Sequence, residues 1–262
     1  MINFFRKIRK KLADDNKPLK YMRYAIGEIV LVVVGILIAL SINNSNNNRL
    51  KKEQLNTFLV RLTEDLQSDR LRLNRKVTGY QKLALRHNHV LKICGLDTVI
   101  IEEYYRPEKE TEIKDWQWQG PYPEEFDFKF FRNIIIITGH VLQFKAKNST
   151  ITEMKNTGIY SEIKNVNLKD EIDTYYNEIV EFDVNQIDLA NNWDQTMIDE
   201  GVYPDNDMNR MDDPKKLLTE SPKRISILKY LIREYAWKHF YSGQLAQRID
   251  SIIPKLETEI NR

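Results

Sequence analysis

Apolar and polar positions divide the chain into one unbroken apolar run and several striped stretches. Residues 24–42, YAIGEIVLVVVGILIALSI, carry a single acid, Glu28, and two glycines. Nineteen helical residues rise about 29 Å, close to the hydrocarbon thickness of about 30 Å, so the run predicts a single transmembrane helix. Ala39-Leu40-Ser41 loosely fits a small-x-small cleavage site, but the long lead before the run favours an uncleaved anchor. Residues 43–48 are almost all Asn, whose side chain competes with helical hydrogen bonds, and they predict a hinge. Beyond it Leu55, Leu59, Leu62, Leu66, Leu73, Val77, Tyr80, Ala84, His87, Leu91 and Cys94 keep heptad spacing. They predict a helix of about 40 residues with coiled-coil character, weakened at Gly79 and stopped by Gly95.

Two more long helices follow from the same spacing. One starts at Asn167 as cap, runs through Leu168, Ile172, Tyr175, Ile179, Phe182, Leu189 and Trp193, and ends at Gly201. The other opens at Ser221-Pro222, a cap followed by proline at the first helical position, and carries Ile225, Leu228, Ile232, Tyr235, His239, Ala246, Ile249, Ile253, Leu256 and Ile260. Pro254 is expected to kink or break it. Three striped helices pack most simply as an antiparallel bundle, out, back and out. Between the first two, Trp116 to Ile137 is aromatic and then aliphatic: Phe126–Phe130 alternates as a strand would, while the run to Phe144 suits a buried helix, and periodicity leaves both open. Thr150-Ile151-Thr152-Glu153 reads as a capping box opening a two-turn helix that Gly158 closes. The expected fold is mainly α: a lead over 1–23, a transmembrane helix over 24–42, a hinge over 43–48, and an extracytoplasmic helical domain over 49–262 with an aromatic-rich cap over about 96–158.

Charge adds orientation. Of 40 Lys/Arg and 38 Asp/Glu, residues 1–23 hold eight basic and two acidic, leaving 32 and 36 for the rest. Eight cations before the run, against Arg49, Lys51 and Lys52 just after it, place the N-terminus in the cytoplasm. Ile2, Phe5, Ile8 and Leu12 recur at helical spacing in the lead, which is either an interfacial helix on anionic lipid or a plain topology signal. The acidic remainder argues against nucleic acid as a partner. The lone Cys94 excludes an intramolecular disulfide and reads as a small buried hydrophobe on its stripe.

Glu28, Gly35 and Ala39 fall within about 20° of one another around a helix. Small residues four apart let a second helix approach, and an intramembrane acid normally faces protein. Glu28 also lies about one turn from the cytoplasmic end, where it could reach the headgroups, so helix pairing and a tolerated interfacial acid both stand.

The segment FFRKIRKKLADDNKPLKYMRYAIGEIVLVVVGILIALSINN resembles the N-terminal signature of a bacterial family of uncharacterised single-pass membrane proteins: a basic FFRxIR lead, YAIGEI, and GILIALxINNWN, with Ser45 in place of the Trp. A looser similarity covers TITEMKNTGIYSEIKNVNLKDEIDTYY, with its Asn156-Thr157-Gly158 turn and paired Tyr175 and Tyr176. The resemblance implies a membrane anchor with an extracytoplasmic helical part and brings no activity with it.

The remaining chemistry is thin. His87 and His239 sit on apolar stripes, but the out, back and out layout sets them tens of ångströms apart by helical rise, and His87 and His89 face different sides of one helix. The 205–209 stretch imitates a calcium loop, yet Arg210 and Lys216 occupy its Gly and Glu positions. Glu102-Glu103, Glu124-Glu125 and Asp212-Asp213 read as solvated pairs. No phosphate loop, dinucleotide fingerprint or nucleophile motif occurs, and neither a metal nor another cofactor is expected. Trp116, Trp118 and Tyr122 form the candidate interaction surface, weighed against plain packing. The expectation is a bacterial inner-membrane protein whose partners are the bilayer and a protein or second copy, acting through contacts, not catalysis; the alternative is a sensor binding a small molecule in the aromatic cap.

Overall fold

A computed structural model describes residues 18–101, 112–114, 118–140, 143–180, 182 and 184–261. The lead stripe Ile2, Phe5, Ile8 and Leu12, the pair Glu102-Glu103, and Trp116 lie outside the described residues. The chain forms two units, one up to Thr57 and one from Phe58.

Helix α1, Pro18–Ile93, runs without interruption. The expected hinge at 43–48 is helical. Each Asn costs only about 0.7 kcal/mol relative to Ala, and propagation between strong helical flanks outweighs that. From Ile29 to Ile42 every side chain is exposed, giving one helix apolar and long enough to cross a membrane. From Phe58 onward α1 changes character: Leu59, Leu62, Leu66, Leu73, Tyr80, Ala84 and Leu91 are fully buried, each large aliphatic contributing about 1.5–3 kcal/mol. The helix ends as expected at Gly95. This residue takes φ 73°, donates to Lys92 O, and lets Leu96 N–H reach Leu91 O, which satisfies two orphan carbonyls.

The segment after α1 first meets the C-terminal end of that helix, where Asn88 exchanges hydrogen bonds with Val99 and His89 reaches Pro123 O. It pairs a short hairpin, β1 (Glu112–Lys114) with β2 (Gln119–Pro121), antiparallel with Ile113 opposite Gly120. Then α2 (Phe128–Ile136) begins at Asp127, whose side chain accepts from Phe130 N–H at 2.7 Å, so the helical reading of this run holds and the strand reading does not. From there the chain descends along α1. Thr138 meets His87, Lys147 meets Asp69, Thr150 meets Asp65 and Glu153 meets Arg61. Helix α3 (Ser149–Asn156) follows, but Asn148 occupies its cap position. The expected capping box is absent because Thr150 and Glu153 spend their side chains on α1 instead. Gly158, at φ 76°, closes this helix as expected.

The second long helix is two: α4 (Val166–Val180) and α5 (Val184–Asp199), with the buried Phe182 between them. Its cap is Asn165, not Asn167, since Asn165 Oδ1 accepts Leu168 N–H at 3.1 Å. Gly201 stops α5 at φ 65°, with Val202 N–H on Met197 O. Two short turns, α6 (Pro204–Asp207) and α7 (Lys216–Thr219), lead to α8 (Pro222–Ile260). Ser221 caps α8, its hydroxyl accepting Arg224 N–H at 3.3 Å. Helix α8 continues through Pro254, which is exposed, because Ile252, Leu256 and Glu259 keep its buried stripe in phase on either side.

Partner residues fix the directions. Glu171 pairs with Lys255 and Glu178 with Arg248, so α4 and α8 are antiparallel. Tyr175 bonds Asp69 and Gln186 bonds Tyr80, so α4 and α5 follow α1. His239 lies against Val77 O and Arg70 against Asp250, so α8 runs opposite to α1. The out, back and out order is therefore replaced by two parallel runs and one antiparallel return, because the 94–165 segment already carries the chain back.

Candidate functional site

Three clusters of polar and aromatic side chains stand out within the unit that starts at Phe58. The first lies on one face of α1, where Arg61, Asp65, Asp69 and Arg72 succeed one another at spacings of four, four and three. Asp69 is fully buried. Its oxygens accept Lys147 N–H at 3.1 and 3.2 Å and the Tyr175 hydroxyl at 3.0 Å, while the Arg72 guanidinium sits 3.2 Å away. Arg72 also donates to Lys145 O and covers the Phe144 ring. Tyr176 donates to Lys147 O, so both members of the tyrosine pair fasten the same strap. Burial pushes the Asp69 carboxyl above its usual value; the Tyr175 hydroxyl, the Lys147 amide and Arg72 pull it back, and Asp65 adds to the rise. The Tyr175 and Tyr176 hydroxyls are raised, first by desolvation and then by Asp69, so both stay protonated donors.

The second cluster crosses the helical body one level on. Lys238 is fully buried, its ammonium 2.9 Å from Gln186 Oε1 and over the rings of Phe182 and Tyr80. Tyr80 donates to the same oxygen at 3.3 Å. The Phe182, Tyr241 and Trp237 rings stack beside it.

The third surrounds His87. Nδ1 lies 2.7 Å from Leu83 O, which fixes the Nδ1–H tautomer, and Nε2 lies 3.1 Å from Thr138 Oγ1. The ring packs on Tyr235, whose hydroxyl donates to Thr138 O. Full burial, with Arg86 adding to it, lowers the His87 pKa to about 4 against the Leu83 hydrogen bond, so the imidazole is neutral. His239 does not meet it. Being antiparallel, α8 sets Tyr235 at the level of His87, and His239 reaches Val77 O instead at 2.9 Å. The separation of tens of ångströms expected from the sequence is not found, since His239 lies one helical turn, about 5.4 Å of rise, from Tyr235, whose ring touches His87. Among the described residues no three His, Cys, Asp or Glu side chains group as metal ligands.

Of the candidate interaction surface, Trp118 and Tyr122 do come together. Both rings pack edge-on against the fully buried Phe130, and Tyr122 also lies 4.8 Å from the His89 ring. Each keeps part of its surface exposed. Cys94 is half-buried, and desolvation, aided by Asp213 and opposed by Lys215, raises its thiol to about 11. In the other unit Glu28 is half-buried while Gly35 and Ala39 are exposed, and a Cβ at 35 meets nothing within 4 Å.

An open groove of about 790 Å³ is lined by Glu200, Asp212, Asp213, Lys216 and Arg224 among others. Its one buried cation is already engaged, since Arg224 donates to Glu200 Oε2 (2.7 Å from Nε) and to Leu217 O.

The sequence reading missed the charges on α8. Arg224, Leu231, Lys238, Leu245, Ile252 and Glu259 are all buried at strict sevenfold spacing. The three charged members meet Glu200, Gln186 and Lys164 N–H. Their phase with Leu231 and Leu245 was the available signal.

Compared with known families, residues 28–103 match a family of unknown function (DUF6090), a match that takes in most of α1 and the residues just beyond it. The second similar block, 150–176, lies outside that match. Neither a curated protein nor a solved structure matches the chain.

Proposed function

We propose that this is a single-pass protein of the bacterial inner membrane, N-terminus in the cytoplasm, whose extracytoplasmic helical bundle works through protein contacts as an accessory or scaffold component of the envelope. The observation that carries the reading is the fully exposed apolar stretch Ile29–Ile42 of α1, preceded by eight cations within 23 residues. Within the membrane, the contact this reading calls for is a helix of a partner protein or of a second copy. Glu28, Gly35 and Ala39 form the face on which that partner helix is placed.

The test is in-cell photo-crosslinking from a photoreactive residue at position 35, where added bulk meets no internal neighbour. A second protein in the adduct identifies the partner, and self-adducts identify a homo-oligomer. If neither forms, and Glu28→Ala and Gly35→Leu leave co-purification unchanged, the membrane face is not the contact. Cysteine accessibility on either side of 24–42 checks the orientation, and labelling of position 10 from outside the cell overturns it.

The half-exposed rings of Trp118 and Tyr122 over Phe130 favour a second reading, a small-molecule site in the aromatic region. Tryptophan emission that stays flat across a panel of envelope metabolites would exclude it.

A further inference from the structure

Each of the three helical runs carries a weak point at one level of the helical body, apart from Pro254 near the end of α8. In α1 this is Gly79, in the sequence Thr78-Gly79-Tyr80. In the second run it is the interruption between Val180 and Val184, where Phe182 forms a turn. In α8 it is Ser242-Gly243, a Ser/Gly pair inside a 39-residue helix. That these lie side by side follows from the contacts: Tyr80 touches Phe182 and Gln186, Lys238 reaches Gln186, and Tyr241 stacks on Phe182. Glycine weakens a helix by about 1 kcal/mol relative to alanine, and Ser/Gly pairs are recurrent bending points.

The core also changes chemistry at this level. On one side the α1 stripe is Leu59, Leu62, Leu66 and Leu73, and on the other it is Leu83, Val90 and Leu91. Between them Lys238, Gln186 and Ser242 are fully buried, and the Gln186 Nε2 and Ser242 Oγ atoms have no hydrogen-bond partner among the described residues. Buried groups left unmet by protein partners raise the free energy of the closed packing and lower the cost of admitting water. Backbone and core therefore agree on the same plane, although the glycines and the polar side chains need not have coincided.

We infer that this layer is a hinge. The two ends of the helical body, one holding the Asp69 strap and the other the His87 core, bend relative to each other about Gly79, Phe182 and Gly243, and the unmet Gln186 amide and Ser242 hydroxyl take up water as the layer opens. Such opening is local, and it precedes loss of either flanking core.

Hydrogen–deuterium exchange on the full chain in lipid nanodiscs tests it. Peptides covering 78–82, 184–188 and 240–245 exchange at least tenfold faster than those covering 59–66 and 228–235. Gly243→Ala, whose added methyl meets nothing within 4 Å, slows exchange in these three peptides by about fivefold and leaves the flanking cores unchanged. Equal protection across the layer and its flanks overturns the hinge. So does a uniform slowing in the variant, which would mark Gly243 as a determinant of global stability alone.

Discussion

Asp69 on α1 accepts the hydroxyl of Tyr175 on α4 at 3.0 Å, joining residues 106 positions apart in sequence. The same carboxylate holds the Lys147 amide, so one buried acid fastens α4 and the descending strap to α1. Its charge is costly there, which is why burial raises its pKa.

Neutralising that acid should be cheap and removing it should not. In Asp69→Asn the remaining oxygen still accepts Lys147 N–H and the amide can donate to Tyr175, so stability at pH 7 changes by less than about 1 kcal/mol. Asp69→Leu leaves two buried donors unmet and costs about 2–5 kcal/mol. Because the native carboxyl titrates above the unfolded value, it favours the fold below that value and loses the benefit as pH rises through the native pKa. Thermal unfolding followed by circular dichroism at pH 4 and pH 7 should show this contribution in the parent and not in Asp69→Asn.

His87 works in the opposite sense. Its pKa is about 4 in the fold against about 6.5 unfolded, so its contribution is complete above 6.5 and is lost as pH falls towards 4. A shift of that size is worth about 3 kcal/mol for a fully buried ring. His87→Gln should flatten the melting temperature between pH 6.5 and 4, and a profile as steep as the parent's would assign the acid sensitivity elsewhere. Since Asp69 gains on acidification, Asp69→Asn should show a larger acid loss than the parent, while the double variant should show neither slope.

Two glycines separate conformation from space. At Gly158 a Cβ meets nothing, but φ is 76°, so Gly158→Ala should cost about 1–2 kcal/mol in strain. At Gly139 a Cβ would collide with the Asp194 carboxylate, yet Asp194 is exposed and that carboxylate can turn away. Gly139→Ala should therefore lower stability by less than about 1 kcal/mol. The reverse order of melting temperatures would mean that Asp194 is held in place.

What was legible in the sequence was local. Gly95, Gly158, Gly201 and Ser221-Pro222 mark helix ends through hydrogen bonds within a few residues, and all four act where expected. Among the described residues the heptad stripe named nine of the sixteen buried positions on α1 but only six of the fifteen on α8, where Ile225, His239, Ile253 and Ile260 are half-buried. The misses are long-range. Thr150 and Glu153 have the letters of a capping box, but Asp65 and Arg61, 85 and 92 residues away, compete for them. The order of the three helical runs turned on a strap whose anchors are polar and distant. Lys238 was visible as a lysine in phase with an apolar stripe, but its partner Gln186 lies 52 residues off.

Cys94 should be nearly inert. With its thiol raised to about 11, the thiolate fraction at pH 7.5 is on the order of a few hundredths of a percent, against about 10% for an ordinary cysteine. Alkylation by N-ethylmaleimide should then run at least about 100-fold slower than for a free thiol, and should speed up only when the end of α1 unfolds. The consequence reaches the topology question: cysteines introduced on either side of residues 24–42 can be scored against the parent protein without replacing Cys94. If the parent labels rapidly at pH 7.5, the half-buried thiol is more open than its surroundings allow, and the packing of Lys215 and Asp213 beside it is the first contact to revise.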